Sequence, residues 1–213
     1  MPRAHRRVIK PLVFAAALLP LGWLVRRGLS GTLGANPLET ITHETGLWTL
    51  RFLLITLAVT PARRLLRLNA LIAYRRMLGL FAFAYGCLHL ITYLWFDQFF
   101  AWGEIVRDVG KRPFITAGMA GFAAMVPLAL TSTAAMIRRL GGRRWRALHR
   151  LVYAAAAAGV AHYWWLVKDD TRSPRAYALV LAVLLLARLL PAGITGSARP
   201  AAGGPRGRPS ATR

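Results

Sequence analysis

The chain has 213 residues, of which 56% are hydrophobic and only 17% charged, a balance that excludes an ordinary water-soluble globule. Its 29 Lys and Arg against seven Asp and Glu give a net charge of +22, yet the cations fall in short clusters between long apolar runs, which is loop punctuation in a membrane protein rather than a nucleic-acid-binding face. The single cysteine, Cys87, excludes an intrachain disulfide, a thiolate zinc site and a Cys-ligated iron–sulfur cluster, and no C-x-x-C-H run is present for covalent haem attachment.

A spanning helix needs about 20 mostly apolar residues, because about 30 Å of hydrocarbon is crossed at about 1.5 Å per residue. Six stretches qualify: Val8 to Val25, Gly46 to Thr60 with a weak extension, Met77 to Phe96, Phe114 to Ile137, Leu148 to Val167 and Pro174 to Ile194. The first also has the outline of a signal peptide, with a basic start and an Arg6-Arg7 pair, but Arg26-Arg27 follow it with no small-x-small cleavage site. The second is the weakest, with Arg51 inside it and Pro61 expected to end it. Residues 198–213 are rich in Pro, Gly and Arg and read as a disordered basic tail near anionic lipid headgroups. No internal repeat is visible, so the expected fold is an all-α bundle of six transmembrane helices over residues 1–197 plus that tail.

Topology follows from the loops. With a cytoplasmic N-terminus, 19 basic residues fall on inner segments and eight on outer ones, a clear positive-inside bias. All seven acids (Glu39, Glu44, Asp97, Glu104, Asp108, Asp169 and Asp170) then lie outside. Both termini are expected to be cytoplasmic.

Of five histidines, His5 is in the N-terminal tail and His43 in the first outer loop; the other three sit at membrane positions. His89 lies in the third stretch, eight residues before Asp97, and His162 in the fifth, seven residues before Asp169. The two stretches run in the same direction, so the imidazoles share a level in the outer half of the bilayer, as a transmembrane bis-histidine haem requires. A neutral imidazole ligates iron without carrying charge into hydrocarbon, and no carboxylate within a span could complete a different metal site or a proton relay. The competing reading is a pair of polar residues hydrogen-bonded between helices.

His149 opens the fifth stretch at the inner boundary, thirteen residues before His162. That separation is about 20 Å along a helix and suits a second cofactor level, although an ideal helix turns the two side chains about 140° apart. It could ligate an inner haem, contact another cofactor, or act as an interfacial cap. Arg51 could pair with a haem propionate, or snorkel; Arg188 is close enough to the inner face to snorkel. The inner loop from Arg138 to Arg150 offers Arg143, Arg144 and Trp145 to the phosphate and ring of a flavin, against plain positive-inside charge. The aromatics Tyr93, Trp95, Phe96, Tyr163, Trp164 and Trp165 read as an interfacial belt.

The runs TGLWTLRFLLITLAVTPARR, RRMLGLFAFAYGCLHLITY, KRPFITAG and ALTSTAAMIRRLGGRRWRALHRLVYAAAAAGVAHYWWLVK resemble the MsrQ (YedZ) family. These are the haem-binding membrane subunits of bacterial periplasmic methionine sulfoxide reductase systems, within the ferric-reductase-like transmembrane superfamily. The resemblance covers roughly residues 8 to 195 and is carried by the L-T-S-T-x-A-M, R-W-x-x-L-H and H-Y-x-W segments in combination.

The resemblance implies an inner-membrane, multi-pass cytochrome b that also binds FMN. It would take electrons from the quinone pool or a cytosolic flavin reductase and pass them to a periplasmic molybdopterin subunit that repairs oxidised proteins. It places haem ligands at His89, His149 and His162; where the wider superfamily has a further histidine on the third span this chain has Arg75-Arg76, so one haem b is implied and a second stays open. Sulfoxide chemistry is expected on the partner, because this chain offers no reactive thiol or molybdenum ligand set. Two other readings are a stand-alone ferric or cupric reductase and a non-redox transporter or scaffold, the latter without the paired broken spans usual for a transporter site.

Overall fold

The computed structural model describes residues 3–168 and 170–189, with side chains from residue 8 onward. The elements are α1 (Arg3–Leu29), α2 (Pro37–Leu65), a 3-10 turn (Asn69–Ala73) and α3 (Arg75–Ile91), which runs on into a π-helical turn (Thr92–Asp97). Then follow α4 (Trp102–Lys111), α5 (Pro113–Leu130), α6 (Ala134–Leu148), α7 (Leu151–Leu166) and α8 (Arg172–Leu189). The chain is all-helical among the described residues. The basic tail at 198–213 lies outside them, as does the end of the sixth apolar stretch.

Four helices are long and apolar enough to cross a membrane: α1 from Val8, α2, α3 with its π turn, and α5. Helix α7 is apolar but has 16 residues, and α8 has 18 with Arg172, Arg175 and Arg188 among them. Helices α2 and α3 pack as one antiparallel pair and α5 and α7 as another; α3 meets α5 and α2 meets α7, while α1 leans on α2 and α3, and α8 on α2 and α7. Leu57, Ala82 and Ala156 at the centre are fully buried, whereas Leu12, Trp23, Leu179 and Leu186 on the outer helices are exposed. Lipid tails are as apolar as leucine, so those faces need no protein cover, and contact between helices depends on close approach at small residues. Gly121 of α5 supplies one such approach: a Cβ there would stand 3.3 Å from Ala158 Cβ and 3.5 Å from the Ala155 carbonyl of α7.

Local chemistry sets the helix ends. Asn36 caps α2 by accepting from the Glu39 N–H and donating to the Glu39 carboxylate, and Pro37 takes the first turn, where no N–H is needed. His43, expected in a loop, therefore lies inside α2. The fourth apolar stretch, expected to reach Ile137, stops at Leu130. There the hydroxyls of Thr131 and Ser132 bond back to the carbonyls of Pro127 and Leu128, both at 2.6 Å, and Thr133 caps α6 at the Met136 N–H. The segment expected as an inner loop is consequently mostly helix, broken at Gly141 (φ 73°), a left-handed conformation that glycine adopts without steric cost.

Two prolines are carried inside helices by side chains from neighbouring helices. Pro61 has no N–H to offer the Leu57 carbonyl four residues back, and Arg188 of α8 donates to that carbonyl through Nη2 at 2.6 Å. Helix α2 therefore continues to Leu65 instead of ending at Pro61, since an unpaired carbonyl in hydrocarbon is what would stop it. Arg188 is turned onto the bundle, with Nη1 donating to the Tyr153 hydroxyl at 2.6 Å, and does not snorkel. At Pro20 the Tyr85 hydroxyl of α3 enters the α1 ladder, accepting from the Leu21 N–H at 3.1 Å and donating to the Ala17 carbonyl at 3.0 Å.

Candidate functional site

His89 lies near the C-terminal end of α3 and His162 near that of α7, and the fold brings the two rings together across the bundle with their planes nearly perpendicular. Their centroids are 5.9 Å apart and their planes are 77° apart. Each ring is anchored on the other helix of its own pair. His89 Nδ1 lies 2.9 Å from the Thr42 carbonyl of α2, and His162 Nδ1 lies 2.6 Å from the Phe114 carbonyl of α5. A carbonyl can only accept, so Nδ1 carries the proton in both rings and Nε2 is the nitrogen with a free lone pair. Each ring therefore keeps its Nε2 lone pair free while its Nδ1 N–H is held by a carbonyl of the neighbouring helix.

The acids among the described residues gather at this same end. Glu39 and Glu44 are in the first turns of α2, Asp97, Glu104 and Asp108 lie around α4, and Asp170 follows α7. Glu104 pairs with Arg107 at 2.9 Å and Asp108 with Arg112 at 3.3 Å. Trp95, Phe96, Trp164 and Trp165 are exposed here, as an interfacial belt would be. Arg51 is one helical turn or more deeper: its Nε donates to the Tyr177 hydroxyl of α8 at 2.9 Å and its guanidinium lies 4.7 Å from the Trp48 ring centroid. It also borders an open groove between α1 and α2, with Trp23, Arg27 and Glu44.

His149 is at the opposite end. It does not open α7: it caps the C-terminus of α6, two residues before α7 begins, so the angle computed for one continuous helix does not apply. Its ring stacks on Trp145 at 3.8 Å between centroids, Nδ1 lies 3.1 Å from the Trp145 carbonyl, and Nε2 is buried without a partner among the described residues. Trp145 in turn donates its indole N–H to the Thr131 carbonyl at 2.9 Å, tying the L-T-S-T turn to α6. Arg143 and Arg144 are exposed beside it. Cys87 is half-buried on α3, away from both clusters of charge.

Sequence reasoning passed over Thr42, Phe114, Gly46 and Gly118, the residues against which the two rings rest. The carbonyls carry no side-chain signal at all. The glycines are visible as small residues inside apolar spans, at nearly equal distances before His89 and His162.

Compared with known proteins, residues 45–160 match the family described as the ferric reductase like transmembrane component. The protein-methionine-sulfoxide reductase heme-binding subunit MsrQ of Herminiimonas arsenicoxydans is 56% identical over 184 residues, covering 85% of this chain and 84% of that one. The MsrQ subunit of Rhodospirillum rubrum is 55% identical over 180 residues, 84% of this chain and 86% of its own, and that of Azospira oryzae 56% over 178 residues, 83% and 76%. No solved structure matches the chain. With its apolar helices and this likeness along most of its length, the chain is a multi-pass membrane protein that belongs to the ferric-reductase-like transmembrane family and, within it, to the MsrQ subunits.

Proposed function

We propose that the chain is a membrane cytochrome b that carries electrons from the arginine-rich end of the bundle to the His89–His162 end, for a partner subunit that reduces methionine sulfoxide. The observation that carries this is the opposed histidine pair. A metal–imidazole bond is about 2.0 Å long, so two rings ligating one metal from opposite sides have centroids about 6 Å apart; the observed 5.9 Å fits. Haem bound between two imidazoles supplies one-electron transfer and leaves no coordination position for a substrate.

The protein's own residues do the rest. Thr42 and Phe114 hold the Nδ1 protons, which fixes the tautomer and leaves the Nε2 lone pairs free to ligate. The α2–α3 and α5–α7 pairs form the apolar walls that keep water from this level. His149 would hold or contact a second redox group, haem or FMN, at the opposite end. Support for that comes from four buried side-chain polar atoms without partners among the described residues, Thr56 Oγ1, Thr60 Oγ1, His149 Nε2 and Arg188 Nε, all toward this end. Arg143 and Arg144 would take a flavin phosphate, and Arg51, whose guanidinium has N–H groups beyond the one given to Tyr177, would take a haem propionate at the other end.

In this reading six helices cross the inner membrane, with both termini cytoplasmic. The donor, quinol or a cytosolic flavin reductase, acts at the basic end, and a periplasmic molybdopterin subunit docks where the acids gather. The test is the dithionite-reduced minus oxidised spectrum of membranes containing the chain, beside equally expressed His89→Ala and His162→Ala variants. Sharp b-type bands lost in both variants are expected; a parent protein with no bands under ample haem supply would overturn the reading in favour of a non-redox role.

A further inference from the structure

The two ligand sites are built alike. In each, a histidine on one helix bonds the carbonyl of a residue on its antiparallel neighbour, and the residue four positions after that carbonyl is glycine: Thr42 and Gly46 for His89, Phe114 and Gly118 for His162. The sequence separations from carbonyl to histidine are 47 and 48 residues. A helical side chain covers the turn preceding its own Cα, so a glycine uncovers the carbonyl four residues before it for approach from the side. It also leaves room for the ring. A Cβ on Gly46 would lie 3.0 Å from both Cε1 and Nδ1 of His89, and a Cβ on Gly118 would lie 2.9 Å from Nδ1 and 3.2 Å from Cε1 of His162. Optimal contact between such atoms is about 3.5 to 4.0 Å, and an imidazole cannot bend out of the way. At Gly86 a Cβ would also come within 3.0 Å of a neighbour, but that neighbour is the flexible end of the Met125 side chain and can swing aside, while at Gly22, Gly103 or Gly110 it would meet nothing within 4 Å.

We propose that Gly46 and Gly118 are positioning residues, a matched pair of cradles that seat the His89 and His162 rings against their carbonyls and so set the gap between the two Nε2 atoms. A methyl group at either position pushes its ring toward the opposite histidine and off its carbonyl, which narrows the gap and frees the tautomer. The proposal deepens the haem reading and rests on it for its spectroscopic consequence, but the seating itself is a property of the protein alone.

Full-length Gly46→Ala and Gly118→Ala are compared with Gly22→Ala, and each is also made with its histidine replaced (His89→Ala or His162→Ala). Haem per protein and the low-temperature EPR signal of the oxidised protein are measured, and thermal unfolding in detergent is followed on protein produced with and without haem supply. Each cradle variant is expected to lose haem severalfold or shift the low-spin signal, while Gly22→Ala matches the parent. In haem-free protein, each cradle substitution is expected to lower the melting temperature when its histidine is present and to raise it or leave it unchanged when the histidine is alanine. Recovery of an unexpressed single variant by the histidine replacement counts the same way. Parent-like haem and EPR in both variants, an equal loss of melting temperature in both backgrounds, or failure of single and double variants alike to accumulate would overturn the proposal. A parent without haem bands sinks the haem reading by itself and leaves the haem-free measurement to decide on the cradles.

Discussion

At one end of the bundle His89 and His162 each commit Nδ1 to a carbonyl of a neighbouring helix and lie close together, whereas at the other end His149 bonds back to its own helix and holds a buried Nε2 without a partner among the described residues. The first arrangement is supported from four helices, two per ring. The second is supported by one helix and that helix's own stacked tryptophan, and toward this end Thr56, Thr60 and Arg188 also carry buried atoms without partners among the described residues. Burying a polar group without a hydrogen bond costs about 1 to 3 kcal/mol on the scale of protein substitutions. The comparison teaches that the His89–His162 end is held by hydrogen bonds between helices on both sides, while the His149 end keeps buried polar atoms without partners among the described residues.

The largest effect that tests this contrast is ligand removal. His89→Ala and His162→Ala should each abolish the same b-type component, since either leaves a single imidazole; loss in one and survival in the other would break the pairing. His149→Ala should leave that component in place and remove a separate, second component or bound flavin, read from the difference spectrum and from flavin fluorescence of the denatured protein. If His149→Ala changes neither spectrum nor flavin content, the second site belongs elsewhere and the orphan Nε2 is only a structural cost.

A smaller effect concerns the arginine toward the His149 end. Arg188→Met withdraws the donor from the Leu57 carbonyl that Pro61 leaves open, and an unsatisfied group of this kind costs about 1 to 3 kcal/mol. Thermal unfolding in detergent should show that loss, and Pro61→Ala in the same background should recover most of it, because alanine supplies the missing N–H. No recovery would mean that Arg188 acts through Tyr153 or through a bound anion instead.

How much of this was legible in the sequence depends on which kind of signal each feature leaves. Counting from His89 to Asp97 and from His162 to Asp169 suffices to put the two imidazoles at one level, because residue count along parallel helices is depth. The anchoring carbonyls leave no trace, since every residue has one. The rule that proline ends a helix misled at Pro61 because it concerns one helix, and the repair comes from Arg188, 131 positions from Leu57. The same contact explains why Arg188 does not snorkel. His149 was misplaced because α6 continues through what charge composition reads as a loop; arginines are good helix formers, and only Gly141 interrupts.

The smallest expected effect separates the two proline repairs from each other. At Pro20 the Tyr85 hydroxyl stands between the Leu21 N–H and the Ala17 carbonyl, serving both where the helical bond would be. Unlike Arg188 it is neutral, and its two partners can close on each other if it leaves. Tyr85→Phe should therefore cost only about 1 kcal/mol, the scale of polar contacts between helices in bilayers. Pro20→Ala straightens α1 and lets the ladder reform, so Tyr85→Phe should cost less in that background than in the parent. A cost unchanged by Pro20→Ala would show that the hydroxyl mainly tethers α1 to α3, adding a polar contact to the apolar packing of Phe14 on Phe81 near the mouth of the Arg51 groove.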